Sequence, residues 1–326
     1  MTPSVSVVVV AAARIESLPA CLDGLCAQTV TPHEVIVVDA SAQRSVGGLV
    51  SDRYPQVSVR AVASGPGAAA AGRRAGWLAA SGEIVAFLGE DVVPDARWLA
   101  ELSSRYRDPL VAGVGGRLTG EGVESDRGIA EIGLLLPVGR LTGNFTADPR
   151  RDVDADYLDR DNMSVRYASA LAVGGIPQGY YSGEGDELVE LCLRLRADGF
   201  SIRYAPTAMV SRVPAGEATP PFWPDLGAGY RRCRDRTALL VRRFGRRAPI
   251  VRHHFGLVLR TQGRHLAATR ARFGPRMADG SPRPAVRRVT APVVLARGLA
   301  ELAGLVAGFS VRTGGRPAGA TTGSTA

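Results

Sequence analysis

The stretch Gly82–Asp95 constrains this chain more than any other. Ile84-Val85-Ala86-Phe87-Leu88 is an apolar run of strand length, and it ends one residue before two adjacent carboxylates, Glu90 and Asp91. An unbroken apolar run suits a strand buried on both faces, as in a parallel sheet covered by helices. Open α/β sheets bind ligands beyond the carboxyl ends of their strands, which is where this pair of acids falls. Hard oxygen ligands at such a place suit Mg²⁺ or Mn²⁺. The same two acids would equally serve as the cap of a following helix.

The rest of the front half repeats the pattern. Ser4–Val10 and Glu34–Asp39 read as buried strands, with Gln56–Ala63 a weaker one and Val111–Leu118 another. Between them, Ser17–Ala27, Ala68–Ser81 and Ala96–Tyr106 carry helical spacing, with Ser17 placed as an N-cap. Strands alternating with helices predict parallel βαβ units in a doubly wound sheet. Residues 119–160 are rich in Gly, Asp and Arg and read as an excursion over the ligand face, with a short apolar insert at Ile132–Val138. Leu188–Arg196 reads as a helix closed by Gly199, followed by two short strands, Ser201–Tyr204 and Ala208–Val210.

The charge is uneven. The chain has no lysine; residues 1–229 hold 20 arginines and 28 acids, residues 230–326 hold 20 arginines and 3 acids. A basic segment of this kind expects an anionic partner, and arginines threaded among apolar residues suit an anionic membrane surface. Ala291–Val311 is apolar but carries Arg297 and Glu301, which argues for an interfacial helix rather than a spanning one. Without a recognition module or interleaved stacking aromatics, no nucleic-acid partner is expected. Three domains are expected: a catalytic domain over 1–225, an Arg-rich helical extension over 226–312, and a disordered tail over 313–326. The scattered cysteines (Cys21, Cys26, Cys192, Cys233) and an N-terminus running straight into a strand predict a cytoplasmic protein without a signal peptide, peripheral on the inner membrane face.

In their order and spacing these segments resemble glycosyltransferase family two, the inverting nucleotide-sugar transferases with the A-type fold. The resemblance rests on Val7–Val10 with Arg14, Ser17-Leu18 and Ala27-Gln28-Thr29; on Val37-Val38-Asp39-Ala40-Ser41; on Gly67–Gly76 with Arg73; and on Phe87–Pro94. It continues through Gly139–Phe145, Asn162–Arg166, Gly174-Gly175 and Leu188–Gly199. It implies an α/β fold with a mostly parallel sheet and a basic helical C-terminal extension. It also implies transfer of a sugar, with inversion, from a nucleotide diphosphate sugar to a glycan or lipid-linked acceptor in cell-surface glycan or glycolipid synthesis. Carried onto this chain, the resemblance assigns Val10, Ala12, Arg14, Asp39, Arg73 and Glu90 to the nucleotide, and Glu90 and Asp91 to a Mg²⁺ or Mn²⁺ ion. Asn162, Arg166 and Arg194 fall to the acceptor side, and Asp186, narrowly ahead of Glu187, to the general base. The chain departs from the family at Ala12-Ala13, Arg74, Gly89, Leu188 and Arg212, where the pattern has Tyr-Asn, Asn, Asp, Asp and His. These departures leave a second reading, a catalytically impaired relative acting as a binding or scaffold protein.

Overall fold

The computed structural model describes residues 2–42, 46–61, 65, 67–120, 131–214, 225–273 and 285–311, with side chains left out of account over 265–273 and 285–295. The chain divides into two compact units, Met1–Pro224 and Asp225–Ala326. The expected tail over 313–326 lies outside the described residues.

In the first unit, strands and helices alternate as expected only as far as the strand Ile84–Gly89; beyond it strands follow one another. β1 (Val5–Ala11), α1 (Leu18–Cys26), β2 (Glu34–Asp39), α2 (Val46–Arg53), β3 (Val57–Ala61), α3 (Ala68–Ala79) and β4 (Ile84–Gly89) come first. A short β5 (Val92–Pro94) precedes α4 (Trp98–Arg105), β6 (Val111–Gly120), β7 (Val153–Asp154), β8 (Asn162–Arg166), α5 (Tyr167–Ala172), α6 (Asp186–Ala197) and β9 (Ser201–Arg212). The main sheet runs β3-β2-β1-β4-β8-β6-β9-β5, with β7 paired to β9. The pairs β1–β2, β1–β4, β2–β3 and β6–β9 are parallel; β8 runs antiparallel to both β4 and β6. The two short strands expected near residues 201–210 are one long strand, β9, because both halves pair with β6 across a register shift between Gly116 and Leu118. Ser17 precedes α1, as expected of a cap, but its side chain makes no capping bond.

Every residue of β1 except Val10 is buried, so helices cover both sheet faces around it. Each buried Val there contributes about 1.5–3 kcal/mol. Helix α3 lies very close to β1 because Gly72 and Gly76 turn towards it. A Cβ at Gly76 would stand 2.2 Å from Cγ1 of Val8, and one at Gly72 would stand 2.8 Å from Cγ1 of Val10. That close approach carries the next residue, Arg73, to the end of the strands.

Among the described residues the second unit has three helices, α7 (Leu226–Phe244), α8 (Pro249–Phe273) and α9 (Ala285–Phe309). Asp225 caps α7 by accepting the Ala228 N–H at 3.1 Å. Ala238–Val241 are buried, and Gly304 and Gly308 let α9 press on the α7 backbone; a Cβ at either would stand 2.3 Å from a carbonyl oxygen. Among the described residues, no helix is long and apolar enough to cross a membrane.

Replacing Gly76 with Val tests the α3–β1 packing. Overpacking there is expected to cost about 1–3 kcal/mol, read as a Tm lowered by several degrees with the helix content of the folded state retained.

Candidate active site

A cleft of about 230 Å³ opens where β1 and β4 end. Its walls come from β1 (Val8, Val10), the loop after it (Ala12, Ala13, Arg14), α3 (Ala69, Arg73), the end of β4 (Phe87–Asp91), the approach to β8 (Arg160, Asp161), Gly183 and the end of β9 (Arg212). Six of the residues expected at the site, Val10, Ala12, Arg14, Arg73, Glu90 and Asp91, are therefore brought together.

Glu90 forms the junction of two strand ends. Its Oε2 accepts the Ala12 N–H at 2.9 Å, and its Oε1 accepts the N–H groups of Ala13 and Arg14, each at 2.8 Å. The loop after β1 has no sheet partner for these donors, so the carboxylate supplies one for each. Burial raises the pKa of Glu90 and the Asp91 charge adds to the rise, while the three backbone donors hold it down.

Asp91 is engaged on its other side. Its Oδ2 accepts from Nη1 of Arg14 at 2.7 Å and from Nη1 of Arg212 at 2.6 Å. The same Arg212 donates through Nη2 to Oδ2 of Asp161 at 2.9 Å, so one guanidinium joins two carboxylates. Burial opposes the charge on Arg212, but Asp161 and Asp91 outweigh it and raise its pKa above the ordinary value. Arg14 also donates to the carbonyls of Val213 and Pro214, at 3.3 and 3.1 Å.

The expected metal pair does not fit a divalent cation as these side chains stand. Glu90 is bonded to three backbone donors, and Asp91 to two guanidiniums. No group of three or more His, Cys, Asp or Glu among the described residues could hold a metal ion.

The remaining expected residues lie off the walls of the cleft. Asp39, 3 % exposed, fixes the turn from β2 to α2 by accepting from the N–H and hydroxyl of Ser41 and from the Val46 N–H. Asp186 and Glu187, each 1 % exposed, open α6. Glu187 is paired with Nε of Arg73 at 2.6 Å, so its charge reaches the cleft only through that arginine. Asn162, wholly buried, clips three elements together: it accepts from the Trp98 indole and donates to the carbonyls of Arg117 and Ala208. Arg166 donates to the carbonyls of Tyr106 and Asp108, and Arg194 pairs with Glu190 one turn earlier. These three residues, expected on the acceptor side, make contacts within the fold and lie off the cleft walls.

Two wall residues escaped the sequence reading, Arg160 and Asp161. The available signal was the acid-rich Asp159-Arg160-Asp161 run just before a strand. Arg160 pairs with Glu184 at 2.9 Å and lies 3.6 Å from Asp161. Burial, and then the Asp161 charge, raise the pKa of neighbouring Asp159 to about 6.

Residues 6–152 match the Glycosyl transferase family 2 profile. The pre-mycofactocin glycosyltransferases of two Mycobacterium tuberculosis strains, CDC 1551 / Oshkosh and ATCC 25618 / H37Rv, are 33 % identical over 142 residues, which is 44 % of this chain. That match takes up 29 % of their own length, so the chain spans under a third of the curated relatives it matches. Among solved structures, the mannosyltransferase PcManGT from Pyrobaculum calidifontis, in complex with GDP-Man and Mn²⁺, superposes with a TM-score of 0.55 at 17 % identity, over 95 % of this chain and 88 % of that one. GalNAc-T7 with UDP, GalNAc and Mn²⁺ gives 0.55 at 13 % identity, over 73 % and 48 %. The fold is the A-type glycosyltransferase fold, and residues 6–152 are identified as a glycosyl transferase family 2 segment.

A carboxyl group whose folded pKa is raised favours the folded state most when protonated. Its contribution is full below the unfolded value, about 3.9, and is lost as pH rises through about 6. Asn at 159 keeps the oxygen that accepts the Asp161 N–H and cannot ionise. Relative to wild type, Asp159→Asn is therefore expected to gain stability between pH 4 and pH 7, measured as the difference in Tm at the two pH values.

Proposed function

We propose that the first unit transfers a sugar from a nucleotide diphosphate sugar to an acceptor hydroxyl, with inversion at the anomeric carbon. The observation that carries this reading is the cleft at the carboxyl ends of β1 and β4, walled by four arginines and three acids. Phosphates are met by guanidiniums in charge-assisted, two-pronged contacts. Ala69, in the first turn of α3, lies in the wall, so the positive end of that helix dipole supports the same anion. At about 230 Å³ the cleft is smaller than the roughly 300–1,000 Å³ of sites that enclose a whole drug-sized ligand. It suits the diphosphate and the reacting sugar, with the base outside.

Inversion requires one displacement: the acceptor oxygen bonds to the anomeric carbon as the bond to the diphosphate breaks, and a carboxylate takes the acceptor proton. We place that role on Asp161, which lines the cleft, ahead of Asp186 and Glu187, which do not. General-base help is worth about 10²–10⁴-fold. With a panel of UDP-, GDP- and dTDP-sugars, assayed with Mn²⁺ and with a chelator, transfer is expected from at least one donor. Asp161→Asn is expected to lower kcat by about 10²–10⁴-fold with little change in the donor KM. If Asp186→Asn or Glu187→Gln has that effect and Asp161→Asn does not, the base is at the start of α6. Absence of transfer, and of nucleotide binding, favours the scaffold reading.

The arginines of residues 230–312 support an anionic membrane surface as the place of work, with a lipid-linked acceptor. The full chain is expected to float with vesicles containing anionic lipid, to stay down with neutral ones, and to be released by salt.

A further inference from the structure

We propose that this cleft takes the diphosphate of its nucleotide on the guanidiniums of Arg212 and Arg14 without a divalent cation. Arg212 stands between Asp91 and Asp161, where a metal shared by those acids would have to sit. The inference rests on the transferase reading and deepens it.

Three observations carry it. The first is connectivity: Arg212 bonds Asp91 through Nη1 at 2.6 Å and Asp161 through Nη2 at 2.9 Å, so its plane spans the gap between the two carboxylates that face the cleft. A cation bridging them would require this side chain to leave.

The second is the filling of position 89. A Cβ there would stand 3.0 Å from Cβ, Cγ and Oδ1 of Asp161. Asp161 thus occupies the space that a side chain on Gly89 would need, and its carboxylate is held by Arg212 with Arg160 at 3.6 Å. The acid missing from the end of β4 is replaced by one from the approach to β8, already matched to a guanidinium.

The third is charge and donor count. Arg14, Arg73, Arg160 and Arg212 line the cleft with Glu90, Asp91 and Asp161, and Arg73 and Arg160 are also paired with Glu187 and Glu184, which leaves Arg14 and Arg212 as the guanidiniums that meet a bound anion. A guanidinium has five N–H donors. Arg212 uses two of them on Asp91 and Asp161, and Arg14 uses its bonds on Asp91, Val213 and Pro214. Both retain donors for phosphate oxygens, and Arg cannot lose its charge at any working pH.

The test is calorimetric binding of UDP, GDP and dTDP to the full chain, in EDTA and in Mn²⁺. At least one diphosphate is expected to bind with affinities within about threefold of each other in the two buffers. Arg212→Ala is expected to weaken binding in EDTA by about tenfold or more. With Asp91 and Asp161 released, the variant should recover part of the loss in Mn²⁺ and should bind free Mn²⁺, seen by electron paramagnetic resonance, where wild type does not. Arg212→Gln, which keeps most of the side-chain length, provides a second variant, and circular dichroism confirms the fold of both. Binding by wild type in Mn²⁺ but not in EDTA overturns this inference and leaves the transferase reading standing. So does an Arg212 variant that binds as tightly as wild type in EDTA. Failure of all three diphosphates in both buffers overturns the inference and the transferase reading together.

Discussion

Glu90 clasps the loop that follows the first strand, and the shape of the cleft depends on that clasp. Three consecutive N–H groups, from Ala12 to Arg14, converge on the two oxygens of one carboxylate. Hydrogen bonds to a charged group are worth about 1.5–3 kcal/mol each, and although Ala12 and Arg14 are half-buried and Ala13 is exposed, three of them on one carboxylate favour this one loop conformation. The conformation aims Arg14 at Asp91, and Asp91 in turn receives Arg212 from the far end of β9. The wall is thus built inward from a single side chain.

A chain of alternating charges follows: Arg14, Asp91, Arg212, Asp161, with Arg160 beside the last. Such a chain is self-neutralising, and it satisfies acids that would otherwise repel one another. The departures at Gly89 and Arg212 then belong together. With no side chain on Gly89 there is room for Asp161, and Arg212 at the end of β9 supplies positive charge to both Asp91 and Asp161. Two changes that look like independent losses in the sequence act in the fold as one exchange of partners.

Much of the scaffold was legible. Ser4–Val10 is found as Val5–Ala11, and the Glu34–Asp39 strand is found as expected. Runs of Val and Ile with no polar interruption have one stable fate, a strand covered on both faces, and neighbouring residues alone reveal it. The helix expected at Leu188–Arg196 begins two residues earlier, at Asp186, because Gly185 turns the chain into it with φ 87°. The roles of the polar residues were far less legible. Asn162 reads as a ligand-facing residue but is an interior clip, since its partners Trp98, Arg117 and Ala208 lie 45 to 64 residues away. Asp39 reads as a nucleotide-binding acid, and in the fold it accepts from Ser41 and Val46.

The sequence by itself determined the strands and helices of the front half from β1 to β4 apart from α2, the basic character of the C-terminal segment, and the clustering of acids just after β4. Each of these depends on side chains close together in the chain. Only the tertiary structure decided what those acids do. The partner that Asp91 receives from β9 is 121 residues away, and the donors to Glu90 are 76 to 78 residues away. A carboxylate is a metal ligand, a base or a clasp according to the charges and N–H groups that reach it. Those arrive from strands that the fold brings together and the sequence keeps apart.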